Sequence, residues 1–148
     1  MSQDFYLGNP NLKKVGTEIQ FTKDQIQEYL KCKEDPVYFA MNYIKIISLD
    51  EGIVPFKMWD FQQELIESFH ENRFNIAKLP RQTGKSTTCV SYLLHYILFN
   101  DNVNVGILAN KLSTARDLLG RLQLAYEQLP LWIQQGIVVY NKGSMELE

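Results

Sequence analysis

The residues best suited to chemistry are the run Leu79-Pro80-Arg81-Gln82-Thr83-Gly84-Lys85-Ser86-Thr87. Gly84-Lys85-Ser86 match the end of the phosphate-loop pattern G-x-x-x-x-G-K-[ST], and Leu79 stands where the first glycine would be. Such a loop turns its backbone N–H groups into one concavity that wraps a phosphate. Gly84 permits close approach of backbone and anion. Lys85 has the reach and charge for the β- and γ-phosphates, and the Ser86 hydroxyl is the ligand type that holds Mg²⁺. The loop opens a helix, whose N-terminal dipole and free N–H donors add to the attraction. The phosphate-contacting set is thus Gln82, Thr83, Gly84, Lys85, Ser86 and Thr87, with ATP and Mg²⁺ as the ligands.

Arg81 lies inside the loop. A guanidinium there can neutralise charge that develops during phosphoryl transfer, as an arginine finger supplied in cis. The plain alternative is an ion pair with a surface carboxylate. Arg81 and Lys85 are therefore the catalytic candidates. Upstream, Trp59, Phe61, Gln62 and Gln63 cluster at the start of a helix. A Gln amide donates and accepts at once, which suits adenine N6 and N7, and a neighbouring ring can stack on the base. Gln62 and Phe61 are the adenine candidates, against a core role for Phe61 and solvation for the glutamines.

Other groups invite chemical readings that are weaker. Ile46-Ile47-Ser48-Leu49-Asp50-Glu51 mimics a strand ending in a metal-binding acid pair, but Gly52 follows at once and a turn, in a small hairpin or an extended loop, fits better. His70 and His95 lack partners at metal spacing; His95 reads as a core residue and Cys89 as packing. Asn110-Lys111, after an expected strand, would lie at a sheet edge where ligands bind in open α/β folds and could touch nucleotide or DNA, with a loop cap that holds no ligand as the equal alternative.

The elements that would position these residues follow from local signals. Residues 1–20 read as an extended arm. Thr22 and Gln25 form a capping box, with Phe21 and Ile26 as a staple, for a helix to about Lys33. Asp35-Pro36 restart the chain as N-cap and N1 of a helix carrying Val37, Tyr38, Met41 and Ile44 inward. Asp60 caps a third helix that buries Phe61, Leu65, Ile66 and Phe69. Phe74–Leu79 and Val103–Ala109 read as strands, Ser86–Phe99 as a buried helix, and Ser113 as the cap of a helix to about Gln128. Ile137–Tyr140 and a segment from Ser144 close the series as strands. Alternating strand and helix predicts an α/β fold with a parallel, right-handed sheet of the P-loop NTPase kind.

The chain has 148 residues, a net charge of −2, 45% hydrophobic and 22% charged residues, which excludes disorder by composition. Charge is uneven: residues 1–74 carry 8 basic and 12 acidic side chains, and residues 75–148 carry 7 and 5. The second half suits phosphate, although its cations are too sparse for a dense nucleic-acid stripe. No apolar run reaches the length of a membrane span. The start lacks the pattern of a secretory signal, and Cys32 and Cys89 form no disulfide framework, so a reducing compartment is expected.

The loop Arg81-Gln82-x-Gly84-Lys85-Ser86, the upstream Phe61-Gln62 and the stretch GILANKLSTARDLLGRLQ (106–123) together resemble the large terminase subunit of tailed bacteriophages, above all of T-even-like myoviruses. The resemblance covers nearly the whole chain and is clearest from residue 54 onward. It implies a RecA/helicase-like P-loop ATPase with a helical N-terminal extension, incomplete at its C-terminal end. Residues 1–57 would be arm and helices, and residues 58–148 the first part of the ATPase domain. It implies ATP-driven translocation of double-stranded DNA into a procapsid in the host cytoplasm. The implied partners are a portal protein and a small terminase subunit, and the complete motor would form a ring; no membrane is involved. The family's Walker B acids, coupling motif and endonuclease domain would lie past Glu148, leaving the fragment alone without turnover. Another P-loop helicase or translocase, or a non-catalytic nucleotide-binding module, are the alternatives.

Overall fold

The computed structural model describes residues 4–48 and 50–148. A short 3-10 turn at Tyr6–Gly8 is followed by helices α1 (Lys23–Glu34) and α2 (Pro36–Tyr43). Strands β1 (Lys45–Ser48) and β2 (Gly52–Pro55) come next, then helices α3 (Asp60–Glu71), α4 (Lys85–Phe99) and α5 (Leu112–Glu127). Strands β3 (Ile137–Tyr140) and β4 (Met145–Leu147) close the described chain.

The helix starts follow local chemistry. Thr22 Oγ1 accepts from Gln25 N at 3.2 Å, and Gln25 Oε1 accepts from Thr22 N at 3.0 Å. This reciprocal cap satisfies two donors that α1 would otherwise leave open. Phe21 and Ile26 are both exposed, and Phe21 meets the edge of the Tyr29 ring. Asp35 Oδ1 accepts from Tyr38 N at 2.8 Å, and Pro36 occupies the first helical position of α2, where a missing N–H costs nothing. On α2 the buried face is Phe39 and Ala40, with Ile44 just beyond its end, whereas Met41 is exposed. Trp59 is the N-cap of α3 and Asp60 its first residue; Lys111 is the N-cap of α5, with Ser113 inside the helix.

The sheet differs from the expectation. Among the described residues there are two antiparallel two-stranded sheets, β1-β2 and β3-β4, and no parallel ladder. The one parallel contact is an isolated bridge between Lys14 and Ile137. The α/β reading with a parallel P-loop NTPase sheet is therefore overturned: the described residues form five α-helices and two small hairpins. Phe74–Leu79 and Val103–Ala109 form no strand. Their β-branched and aromatic residues favour strands, but a strand exists only when its N–H and C=O groups find a partner ladder. Neither segment makes a backbone–backbone hydrogen bond among the described residues. Phe74, Ile76 and Leu108 stand in solvent. Strands β3 and β4 are instead linked by the short turn Asn141-Lys142-Gly143, which geometry allows only for an antiparallel pair. The hairpin expected around Asp50-Glu51-Gly52 does form, with Ile46 opposite Val54 and Lys45 opposite Pro55. Leu49 of that run lies outside the described residues.

The core joins α2, α3, α4 and α5. Cys32, Phe39, Ile44, Ile66, Leu94, Leu98, Tyr126 and Ile137 are buried together. Phe39, His95 and Phe99 meet ring to ring, with centroids 4.9 to 5.6 Å apart. Gln134 fastens the N-terminal arm to this body. Its Oε1 accepts from Lys13 N, and its Nε2 donates to Asn11 O and Leu129 O, so its buried amide is fully used.

Candidate functional site

The residues of the loop meet where α3 and α4 begin. Gly84 is the N-cap of α4, with φ +72 in the left-handed region, and Gln82 also has a positive φ of 63. Left-handed positions on either side of Thr83 curl the backbone, the geometry that gathers N–H groups around an anion. A side chain at position 82 pays strain for that shape, of about 1 kcal/mol or more.

Gly84 has a second reason to lack a side chain. A Cβ there would stand 2.6 Å from Gln62 Nε2. Gln62 is buried, and its amide is engaged at both ends. Oε1 accepts from Trp59 N at 3.0 Å, and Nε2 donates to Thr83 O at 3.1 Å. One side chain thus ties the start of α3 to the turn that precedes α4. The loop has further internal ties. Thr83 Oγ1 donates to Pro80 O at 3.0 Å, and the buried Thr88 donates from Oγ1 to Gly84 O at 3.1 Å. Lys85 Nζ lies 3.4 Å from both Leu79 O and Pro80 O, folded back across the mouth of the loop.

The donors directed outward are free. Backbone N–H groups of Lys85, Ser86 and Thr87 make no protein hydrogen bond among the described residues, and neither does the Ser86 hydroxyl. This is the set of orphan donors at a helix start, here without a side-chain cap. Arg81 is exposed and forms no ion pair among the described residues. Three free N–H groups and one ammonium stand at this helix start, a donor set of the kind that suits an anion of high negative charge. Mg²⁺ bound with a nucleotide commonly takes one or two protein oxygens and completes its shell with phosphate and water. Ser86 Oγ is such an oxygen. Among the described residues no group of three His, Cys, Asp or Glu could hold a metal by itself.

The structure brings together Gln62, Gln82, Thr83, Gly84, Lys85, Ser86 and Thr87. Phe61 is half-exposed on the first turn of α3, and the Trp59 indole beside it is well exposed. Trp59, already in the upstream cluster read from the sequence, is the more exposed of the two rings. Asp50 and Glu51 occupy the turn between β1 and β2. Asn110 and Lys111 lie at the entry to α5, and with no strand before them the sheet-edge argument for a ligand there falls away. His95 sits in the core, with Nε2 2.8 Å from Cys32 O, and burial lowers its pKa to about 4. No helix among the described residues is long and apolar enough to cross a membrane. No protein-family model matches the chain.

Proposed function

We propose that the chain binds the triphosphate of ATP, with Mg²⁺, at residues 81–87. The observation that carries this reading is the uncapped start of α4. Free N–H groups of residues 85–87, the free Ser86 hydroxyl and the Lys85 ammonium gather at one helix N-terminus. In this reading Lys85 exchanges its long contacts to Leu79 O and Pro80 O for charge-assisted bonds to phosphate oxygens. Ser86 holds Mg²⁺, whose role is to neutralise phosphate charge. Gln82, Thr83, Gly84 and Thr87 line the cradle with backbone. Arg81, unpaired and within the loop, supplies the positive charge for phosphoryl transfer. Phe61, half-exposed and next to Gln62 in the sequence, is the ring that would border a base.

The wider role follows from the resemblance of residues 54–123 to terminase large subunits. The chain would be the nucleotide-binding portion of a motor that moves double-stranded DNA into a procapsid in the host cytoplasm, with a portal protein and a small terminase subunit as partners. The alternating helices and short hairpins do not argue for that role; the loop chemistry does. ATP binding without turnover is the behaviour proposed for these residues by themselves; Asp50-Glu51, which resembles a metal-binding acid pair in sequence, lies in the β1-β2 turn. Isothermal titration with Mg·ATP tests the reading. Saturable binding that is lost in Lys85→Ala supports it; equal binding by both proteins contradicts it.

A further inference from the structure

A cationic surface lies on α5, apart from the loop. A groove of about 780 Å³ is lined by Ser113, Arg116, Gly120, Arg121, Leu124 and Lys142, among others. With about 100° and 1.5 Å per residue, Ser113, Gly120 and Leu124 run down its middle, while Arg116 and Arg121 stand on opposite rims, about 7.5 Å apart along the axis. Lys142 enters from the β3-β4 turn. The buried Gln123 fixes that turn over the helix by donating from Nε2 to Asn141 O at 2.8 Å.

Three cations meet one acid in this groove, Asp117. None of the four is in an ion pair among the described residues. The concentration of positive charge is local, since the chain as a whole has a net charge of −2. Gly120 sharpens the case. Mid-helix glycine is disfavoured relative to alanine, yet a Cβ at this position would meet no atom within 4 Å. The protein itself makes no use of the space. An open backbone between two arginine rims is a shape that admits a chain of phosphates rather than one small anion.

We infer that this groove binds the phosphodiester backbone of duplex DNA, with Arg116, Arg121 and Lys142 on phosphates and Gly120 as the floor. The choice of duplex DNA rests on the proposed function; the groove itself does not. Successive phosphates on one strand advance about 3.4 Å along the duplex axis. The two arginines, on opposite rims and offset by about 7.5 Å along α5, are far enough apart for each to hold its own phosphate.

The test is anisotropy of a labelled 30-base-pair duplex titrated with the full chain at several salt concentrations. Removing all three cations by Arg116→Ala, Arg121→Ala and Lys142→Ala should weaken binding at least tenfold and lower the log–log salt slope by about 2 to 3. Gly120→Gln leaves charge unchanged and should also weaken binding, by filling the floor. Helical circular dichroism confirms that each variant is folded, as their exposed positions lead one to expect. Mg·ATP titration of the same triple variant separates the two readings: nucleotide binding should be unchanged there. Loss of ATP binding by the wild-type chain would remove the proposed function and leave the groove standing. Duplex affinity unchanged in the triple variant or in Gly120→Gln would overturn the groove, as would preference for single-stranded DNA of the same length.

Discussion

Gln62 Nε2 donates to Thr83 O across 3.1 Å, joining the first turn of α3 to the loop that starts α4. The same amide accepts from Trp59 N, and it stands where a Cβ on Gly84 would have to go. The shape of the loop at residues 81–87 is therefore set in part by a buried side chain from another helix.

Gln62→Ala removes both bonds and leaves Thr83 O and Trp59 N without partners. We expect a loss of about 1 to 3 kcal/mol in stability by urea unfolding. ATP and GTP binding should weaken alike, because the loop and not the base contact is disturbed. A selective loss of ATP would instead make Gln62 an adenine contact.

Gly84→Ala combines a left-handed backbone with a clash. Strain at φ +72 alone costs about 1 kcal/mol, and the new methyl would push against Gln62 Nε2. The expected outcome is a lower unfolding midpoint than that of Gly120→Ala, which meets no atom and gains helix propensity. Comparing the two glycine variants by thermal denaturation checks this ordering.

Arg81→Ala should keep ATP binding within a fewfold. Its guanidinium is exposed and makes no ion pair in the described structure, so the fold does not depend on it. Where this loop hydrolyses ATP, as proposed for a packaging motor, the same substitution should abolish hydrolysis; unchanged single-turnover kinetics would remove Arg81 from the catalytic role.

His95 gives the pH dependence. Burial holds its pKa near 4, well below the ordinary value of 6.5. The unfolded chain takes up a proton as pH falls through 6.5, whereas the folded chain does not until about 4. Stability from this residue is thus fully present above pH 6.5 and declines between 6.5 and 4, by up to about 3 kcal/mol. Urea midpoints measured from pH 7 to pH 5 should fall more steeply for the wild-type chain than for His95→Gln.

Local signals were legible in the sequence where one turn of helix holds the whole interaction. Thr22 with Gln25 and Asp35 with Tyr38 lie three residues apart, and both caps form as read. The β1-β2 hairpin was equally local. Phe74–Leu79 and Val103–Ala109 were not legible, because a strand needs a partner that composition cannot supply. Ile76, with every mark of a buried strand residue, is fully exposed. The reading of residues 79–87 rested on Gly84-Lys85-Ser86 between an expected strand and a helix; the helix forms and the strand does not. The tie from Gln62 was not legible, since its acceptor lies 21 residues further along and only packing brings the two together.

The central claim is that the start of α4 binds a nucleotide triphosphate. Titration calorimetry of the wild-type chain and Lys85→Ala with Mg·ATP tests it most directly. Lys85 is exposed, so the variant should remain folded, and loss of its charge-assisted bonds should weaken binding roughly tenfold to a hundredfold. Saturable binding by the wild type, reduced by that factor in the variant, is the result expected. Absence of binding by the wild type, or equal affinity in the two proteins, would contradict it.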